Sequence, residues 1–198
     1  MTKRSNLPKP AKPPEGVIMV RLAARAITGI ATAGLAASLI VSLAAAEPVA
    51  YTVDKSHSSI FFSVQHLGFS TIHGHFSDYD ADIVLDEDNL ANSKAKITIN
   101  MGSLDTFCDP RTEHLKTADF FDVEKFPKAT FVSKTFKKTG DDTVAVTGDL
   151  TLHGKTKEVT LDFTVKKVGQ NPMAKVKAIG LVGTTTLLRI DMELDQKQ

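Results

Sequence analysis

Six histidines and one cysteine are the residues of this 198-residue chain with the plainest capacity for chemistry. His73 and His75 flank Gly74, and on a strand side chains two positions apart share a face, as a metal pair requires. No second cluster of Cys, His, Asp or Glu has a matching short spacing, so solvent-facing strand histidines are the better reading and no metal is expected. Asp54, Ser56 and His57 supply the residue types of a nucleophilic triad within four positions. On a strand, Ser56 and His57 would point to opposite faces, and no nucleophile elbow is present. No catalytic residue, enzymatic activity or cofactor is therefore assigned. Cys108 precedes a helix start, where a thiolate would be favoured, although a lone cysteine is more often buried. Arg111, His114 and Asp119 can be read as pins holding a helix across one end of the domain, which would satisfy buried backbone groups, or as contacts to a ligand headgroup. Pinning is the preferred reading.

These residues are carried by a chain of two unlike parts. Residues 1–46 contain four of the eight prolines, between Pro8 and Pro14, and six basic residues offset only by Glu15. Ala26 to Leu43 is uncharged, and Ala44-Ala45-Ala46 offers the small residues of a cleavage site. The expectation is a signal peptide over 1–46, cut after Ala46, and export to the periplasm. Ala, Gly, Ser and Thr dilute the apolar residues of the uncharged stretch, which argues against a stable membrane anchor. A lipid-anchored lipoprotein is not expected, since Cys108 is far downstream. Residues 47–198 form one domain with 18 Lys and Arg against 22 Asp and Glu, a balance of −4. That balance excludes the basic footprint of nucleic-acid binding. With one cysteine no internal disulfide can form, so stability must come from packing.

The domain reads at period two. Val159, Leu161, Phe163 and Val165 alternate with Thr160, Asp162 and Thr164, and the same alternation runs through Ala95 to Met101 and Tyr79 to Leu85. In 144–152 the inward set is Val144, Val146, Gly148, Leu150 and Leu152, with a glycine between bulky neighbours that suggests a bend or close approach. Further strands are predicted over 58–66, 71–76, 130–136, 174–182 and 184–190. Turns fall at Gly140-Asp141-Asp142 and His153-Gly154-Lys155. One short helix should start with Asp109 as N-cap and Pro110 at the first helical position, ending before Phe120. About nine strands and one helix give an all-β domain, a barrel or a sandwich.

Three stretches carry a resemblance. The first is Tyr51-Thr52-Val53-Asp54-Lys55-Ser56-His57-Ser58, continuing to Phe62, Val64, His66, Gly68 and Gly74 through Phe76. The second runs from Arg111 through Glu113-His114-Leu115 to Asp119-Phe120-Phe121-Asp122 and Phe126-Pro127. The third is Gly148-Asp149-Leu150-Thr151-Leu152-His153-Gly154-Lys155-Thr156-Lys157. Together they resemble the YceI-like family of exported proteins. The resemblance implies an extended antiparallel lipocalin-like β-barrel with one short helix, binding a polyisoprenoid such as a prenyl quinone or prenyl phosphate without catalysis. The late stretch departs from the family. Thr184-Thr185-Thr186 and Arg189-x-Asp191 are similar to it, but Asp191-Met192-Glu193 replaces an Asp-Phe-Gly-like run. The chain stops at Gln198, before the final strand expected. The barrel should then be open along one edge, or a neighbouring chain should cover that edge, and a homodimer is expected.

An inward row of a barrel can be core or pocket wall. Read with the resemblance, Phe62, Val64, Phe69, Ile72, Phe76, Phe131, Leu150, Leu152, Leu161 and Phe163 are expected to line a ligand tunnel. His66, Arg111, His114 and Asp119 are the candidate headgroup or barrel-end contacts. The expected function is a carrier or buffer for a long-chain isoprenoid or related aliphatic lipid. The alternative is an exported scaffold that docks on a membrane redox or stress-response partner.

Overall fold

The computed structural model describes the backbone of residues 17–26, residues 47–187, and Met192. The expected cleavage site at Ala44-Ala45-Ala46, nearly all of the uncharged stretch and the Arg189-x-Asp191 stretch lie outside the described residues. The described strands are β1 (Val17–Ala26), β2 (Val49–Val53), β3 (Ser59–His66), β4 (Ser70–Phe76), β5 (Tyr79–Leu85), β6 (Lys94–Asn100), β7 (Leu104–Asp105), β8 (Lys128–Lys138), β9 (Thr143–Leu152), β10 (Lys155–Gln170) and β11 (Lys177–Thr186), with one helix, α1 (Asp109–Lys116).

Among the described residues every strand pairing is antiparallel, and eight strands close a ring in the order β1, β11, β10, β9, β8, β6, β5, β2. The hairpin β3–β4 and the short β7 branch from the ring where β3 pairs with the first half of β1. The alternation read from the sequence is the alternation of burial. Tyr79, Ala81 and Ile83 are buried while Asp80 and Asp82 are exposed, and Leu161 and Phe163 are buried between exposed Thr160 and Asp162. Burying such a row drives the sheet to curl around it, because each apolar side chain contributes about 1.5–3 kcal/mol on leaving water.

Four features differ from expectation. The edge beside β11 is taken within the chain by β1, which pairs Val17 with Thr186 through Arg25 with Ala178 on one side and meets β2 and β3 on the other. β1 lies inside the segment read as a leader, whose composition gave no strand signal. β11 is one strand where two were predicted. Gly183 makes no turn there; it lies under the Phe163 ring, and a Cβ at Gly183 would sit 2.4 Å from that ring. Finally, the α1 N-cap is Cys108 and makes no side-chain capping bond, so Asp109 is the first helical residue, one position earlier than predicted.

Two bulges shape the barrel. The register shifts in β8 between Ser133 and Thr135, and in β10 between Val165 and Lys167. An extra residue bends its strand and reverses which face each later residue occupies. The β8 bulge depends on Gly148 opposite it, where a Cβ would stand 2.3 Å from the Val132 carbonyl oxygen and 2.8 Å from the Ser133 Cα. On the outer face, the extra residue Lys134 bridges Asp149 at 2.5 Å and Glu158 at 3.0 Å.

Candidate functional site

Asn100 pairs with Lys128, so the segment between them, which contains α1, lies at one end of the barrel. At the opposite end, β5, β8 and β10 finish while β6, β9 and β11 begin, because neighbouring strands run antiparallel. There the inward side chains leave a cavity of about 190 Å³. Among the described residues its wall is built from Ile83, Leu85, Leu90, Ala95, Ile97, Phe131, Phe136, Val144, Val146, Phe163, Val165, Val168, Ile179 and Leu181, with Glu87 as the one polar residue. Phe131 and Phe136 come from one strand but differ in parity, as do Val165 and Val168. In each pair the bulge between them turns the second back to the interior.

Of the ten tunnel residues expected, Phe131 and Phe163 line this cavity. Leu152 and Leu161 are buried in the surrounding core, and Leu150 packs against it. Phe62, Val64, Ile72 and Phe76 lie on the β3–β4 hairpin, where Phe76 joins the same buried core, Phe62 packs against it, and their ring centroids are 5.6 Å apart. Phe69 is 90% exposed and Leu67 is 79% exposed, because both sit at the hairpin tip. The turn there has positive φ at Leu67 and Gly68, closed by the Phe69 N–H donating to the His66 carbonyl at 2.9 Å.

None of the four polar candidates reaches the cavity wall. His66 is exposed beside the hairpin tip. The Arg111 guanidinium donates to the Thr106 hydroxyl at 3.0 Å and the Thr106 carbonyl at 2.5 Å, tying α1 to the end of β7. His114 Nε2 meets Asp119 Oδ2 at 3.3 Å in an exposed pair that closes the chain after the helix. Cys108 is half-buried at the helix start.

Ser56 and His57 do meet, contrary to the strand argument, because Asp54 to Ser58 is a turn. Ser56 Oγ lies 2.6 Å from Asp54 Oδ1 and 2.9 Å from His57 Nδ1, and the same Nδ1 lies 3.2 Å from Asp54 Oδ2. A relay needs the two ring nitrogens to serve serine and aspartate separately. Here one nitrogen faces both, so the ring does not stand between them as a base. His73 and His75 share the outer face of β4, and His75 stacks on Phe107 with centroids 5.2 Å apart. Among the described residues no three His, Cys, Asp or Glu side chains converge on a metal-sized space.

The polar end of the cavity escaped the sequence reading, since no short motif joins its parts. Tyr51 is opposite Ile83 in the β2–β5 ladder and so faces inward, 2% exposed. Its hydroxyl reaches Glu87 Oε1 at 3.3 Å, and Lys177 Nζ approaches the same oxygen at 2.5 Å. The hydrogen bond to Glu87 raises the Lys177 pKa, while burial is the main cause raising that of Tyr51. Glu87 is presented by a loop folded around Asp86. The buried Asp86 carboxylate accepts from Asn92 Nδ2 and the Asn89 N–H, both at 2.7 Å, and from the Asp88 N–H at 3.1 Å. These bonds, Asn92 first, hold Asp86 below the ordinary carboxylate pKa. Because the folded value is depressed, the contribution is complete above the ordinary carboxylate range and is lost as pH falls through the lowered value. Asp86→Asn should therefore lower the thermal midpoint near neutral pH, with the deficit shrinking in strong acid. A deficit independent of pH would show that the carboxylate charge is not what organises the loop.

Comparison with known proteins agrees with this architecture. Residues 51–198 match the YceI-like domain. Protein YceI of Escherichia coli is 43% identical over 144 residues, covering 72% of this chain and 75% of its own length, and that of Salmonella arizonae is 41% identical over the same extent. The crystal structure of the Campylobacter jejuni YceI protein, 34% identical, covers 73% of this chain and 84% of its own with a TM-score of 0.59. With its motifs in order, its barrel closed around an apolar cavity and relatives above two-fifths identity, this chain belongs to the YceI-like family.

Proposed function

We propose that this protein is an exported, non-catalytic carrier that holds the tail of a long isoprenoid or related aliphatic lipid inside the barrel. The observation that carries the reading is the cavity wall, apolar at every described position but Glu87. Such a wall offers a tail contact without demanding hydrogen bonds that a hydrocarbon cannot make. At about 0.3 kcal/mol per non-hydrogen atom, each five-carbon isoprene unit adds about 1.5 kcal/mol, so several units outweigh one polar contact. The 190 Å³ cavity is smaller than the ~300–1,000 Å³ typical of sites for drug-sized ligands, so a long tail fills it and continues beyond. The periplasm is the compartment that the expected leader implies, and a homodimer is the expected state of the processed chain.

Native mass spectrometry of the protein purified from its own cell envelope tests the reading, with retained lipid as the expected result. Ala95→Phe would place a ring into the cavity from β6. It should remove the bound lipid while the circular-dichroism spectrum and thermal midpoint change little, because the added atoms enter empty space. A folded variant that keeps its lipid would move the tail out of this cavity.

A further inference from the structure

We propose that the cavity selects lipids ending in a hydroxyl group, with Glu87 as the acceptor that reads it and Lys177 and Tyr51 as its positioning residues. The proposal rests on the lipid-carrier reading and narrows its ligand class. Among the described residues, Glu87 is the one polar side chain in the cavity wall, so it is the side chain there that a polar terminus can meet. Its carboxylate is oriented from two sides, and both contacts fall on Oε1. The side chain is also about 40% exposed, so the carboxylate can be approached from outside these two contacts. An ionised carboxylate oxygen is an acceptor only, and its natural complement is an O–H donor, with which it forms a short, charge-assisted bond.

Charge separates the candidate headgroups. Lys177 is already paired with Glu87, so the group as a whole is neutral and offers no uncommitted cation. A phosphate would bring its negative charge against the carboxylate and would have to pull Lys177 away from it. A quinone carbonyl has no proton to give. An alcohol or phenol can donate to the Glu87 carboxylate without displacing Lys177 or Tyr51 from it. Tyr51 positions the carboxylate from the protein interior, its hydroxyl donating to Oε1 at 3.3 Å.

The test uses the full chain stripped of lipid, with three probes: geranylgeraniol, geranylgeranyl phosphate and the headless hydrocarbon squalene. Binding is followed by native mass spectrometry and by competition. The alcohol should bind about tenfold more tightly than the phosphate, the factor supplied by one good hydrogen bond. Glu87→Gln, which removes the charge and keeps the shape, should narrow that gap mainly by strengthening the phosphate. Phosphate binding as tight as the alcohol in the unmodified chain overturns the assignment without needing any variant. A gap that persists undiminished in a folded Glu87→Gln protein also overturns it. If squalene binds and the two headgroups are equivalent, the headgroup assignment falls and the carrier reading stands. If no probe binds, the carrier reading falls and takes this one with it.

Discussion

A chain beginning at Glu47 is expected to self-associate, whereas the full chain is expected to remain monomeric at the same concentrations. The reason lies in what β1 does. It pairs along β11 from Thr186 to Ala178 and fills the other side of the same slot against β2 and β3. Cleavage after Ala46 would remove it and leave two facing edges of unpaired N–H and C=O groups, a template for another strand. Lys177 stands at one end of the β11 edge, but Ile179, Leu181 and Val182 leave most of it apolar. A second copy can meet such an edge through one self-complementary patch, the commonest oligomer symmetry. Sedimentation velocity on both chain lengths over a wide concentration range is the direct measurement. A shortened chain that stays monomeric and soluble would mean that the slot closes without β1, and the dimer expectation would be lost. N-terminal sequencing of the exported protein supplies the other half: a product starting at Glu47 lacks β1, and one retaining Arg21 or Arg25 keeps at least part of it.

Gly148→Ala should be among the most damaging small substitutions in the domain. The added Cβ would meet backbone, the Val132 carbonyl oxygen at 2.3 Å and the Ser133 Cα at 2.8 Å, and neither can rotate aside as a side chain could. Overpacking typically costs about 1–3 kcal/mol, and a backbone collision belongs at the upper end or beyond. For a domain of this size that corresponds to a fall in thermal midpoint of roughly 6–12 °C. The loss should extend to the ligand, because the β8 bulge that Gly148 accommodates is what turns Phe136 into the cavity. Gly169→Ala in β10 is the matched control. A Cβ there meets nothing within 4 Å, and the change should be neutral or slightly stabilising. Equal midpoints for the two variants would show that the bulge tolerates a side chain and that the close approach is not essential.

Local pattern alone determined much of this protein. Period-two rows such as Tyr79 to Leu85 and Val159 to Val165 marked the strands and the faces they bury, since a half-buried strand writes its environment into alternate residues. The short helix was legible in Asp109-Pro110, and the close approach at Gly148 in a glycine set between bulky neighbours. Tertiary structure decided what depends on partners distant in the chain. Ring closure joined β1 to β11 across more than 150 positions, through backbone groups that any sequence presents alike. Strict alternation assigns Phe136 and Val168 to the outside; they line the cavity because one inserted residue reverses a strand's faces, and nothing periodic announces a bulge. Tyr51, Glu87 and Lys177 belong to β2, a loop and β11, and no spacing rule connects them. They meet because the barrel brings the start of one strand beside the end of another, which is a property of the closed sheet rather than of any segment within it.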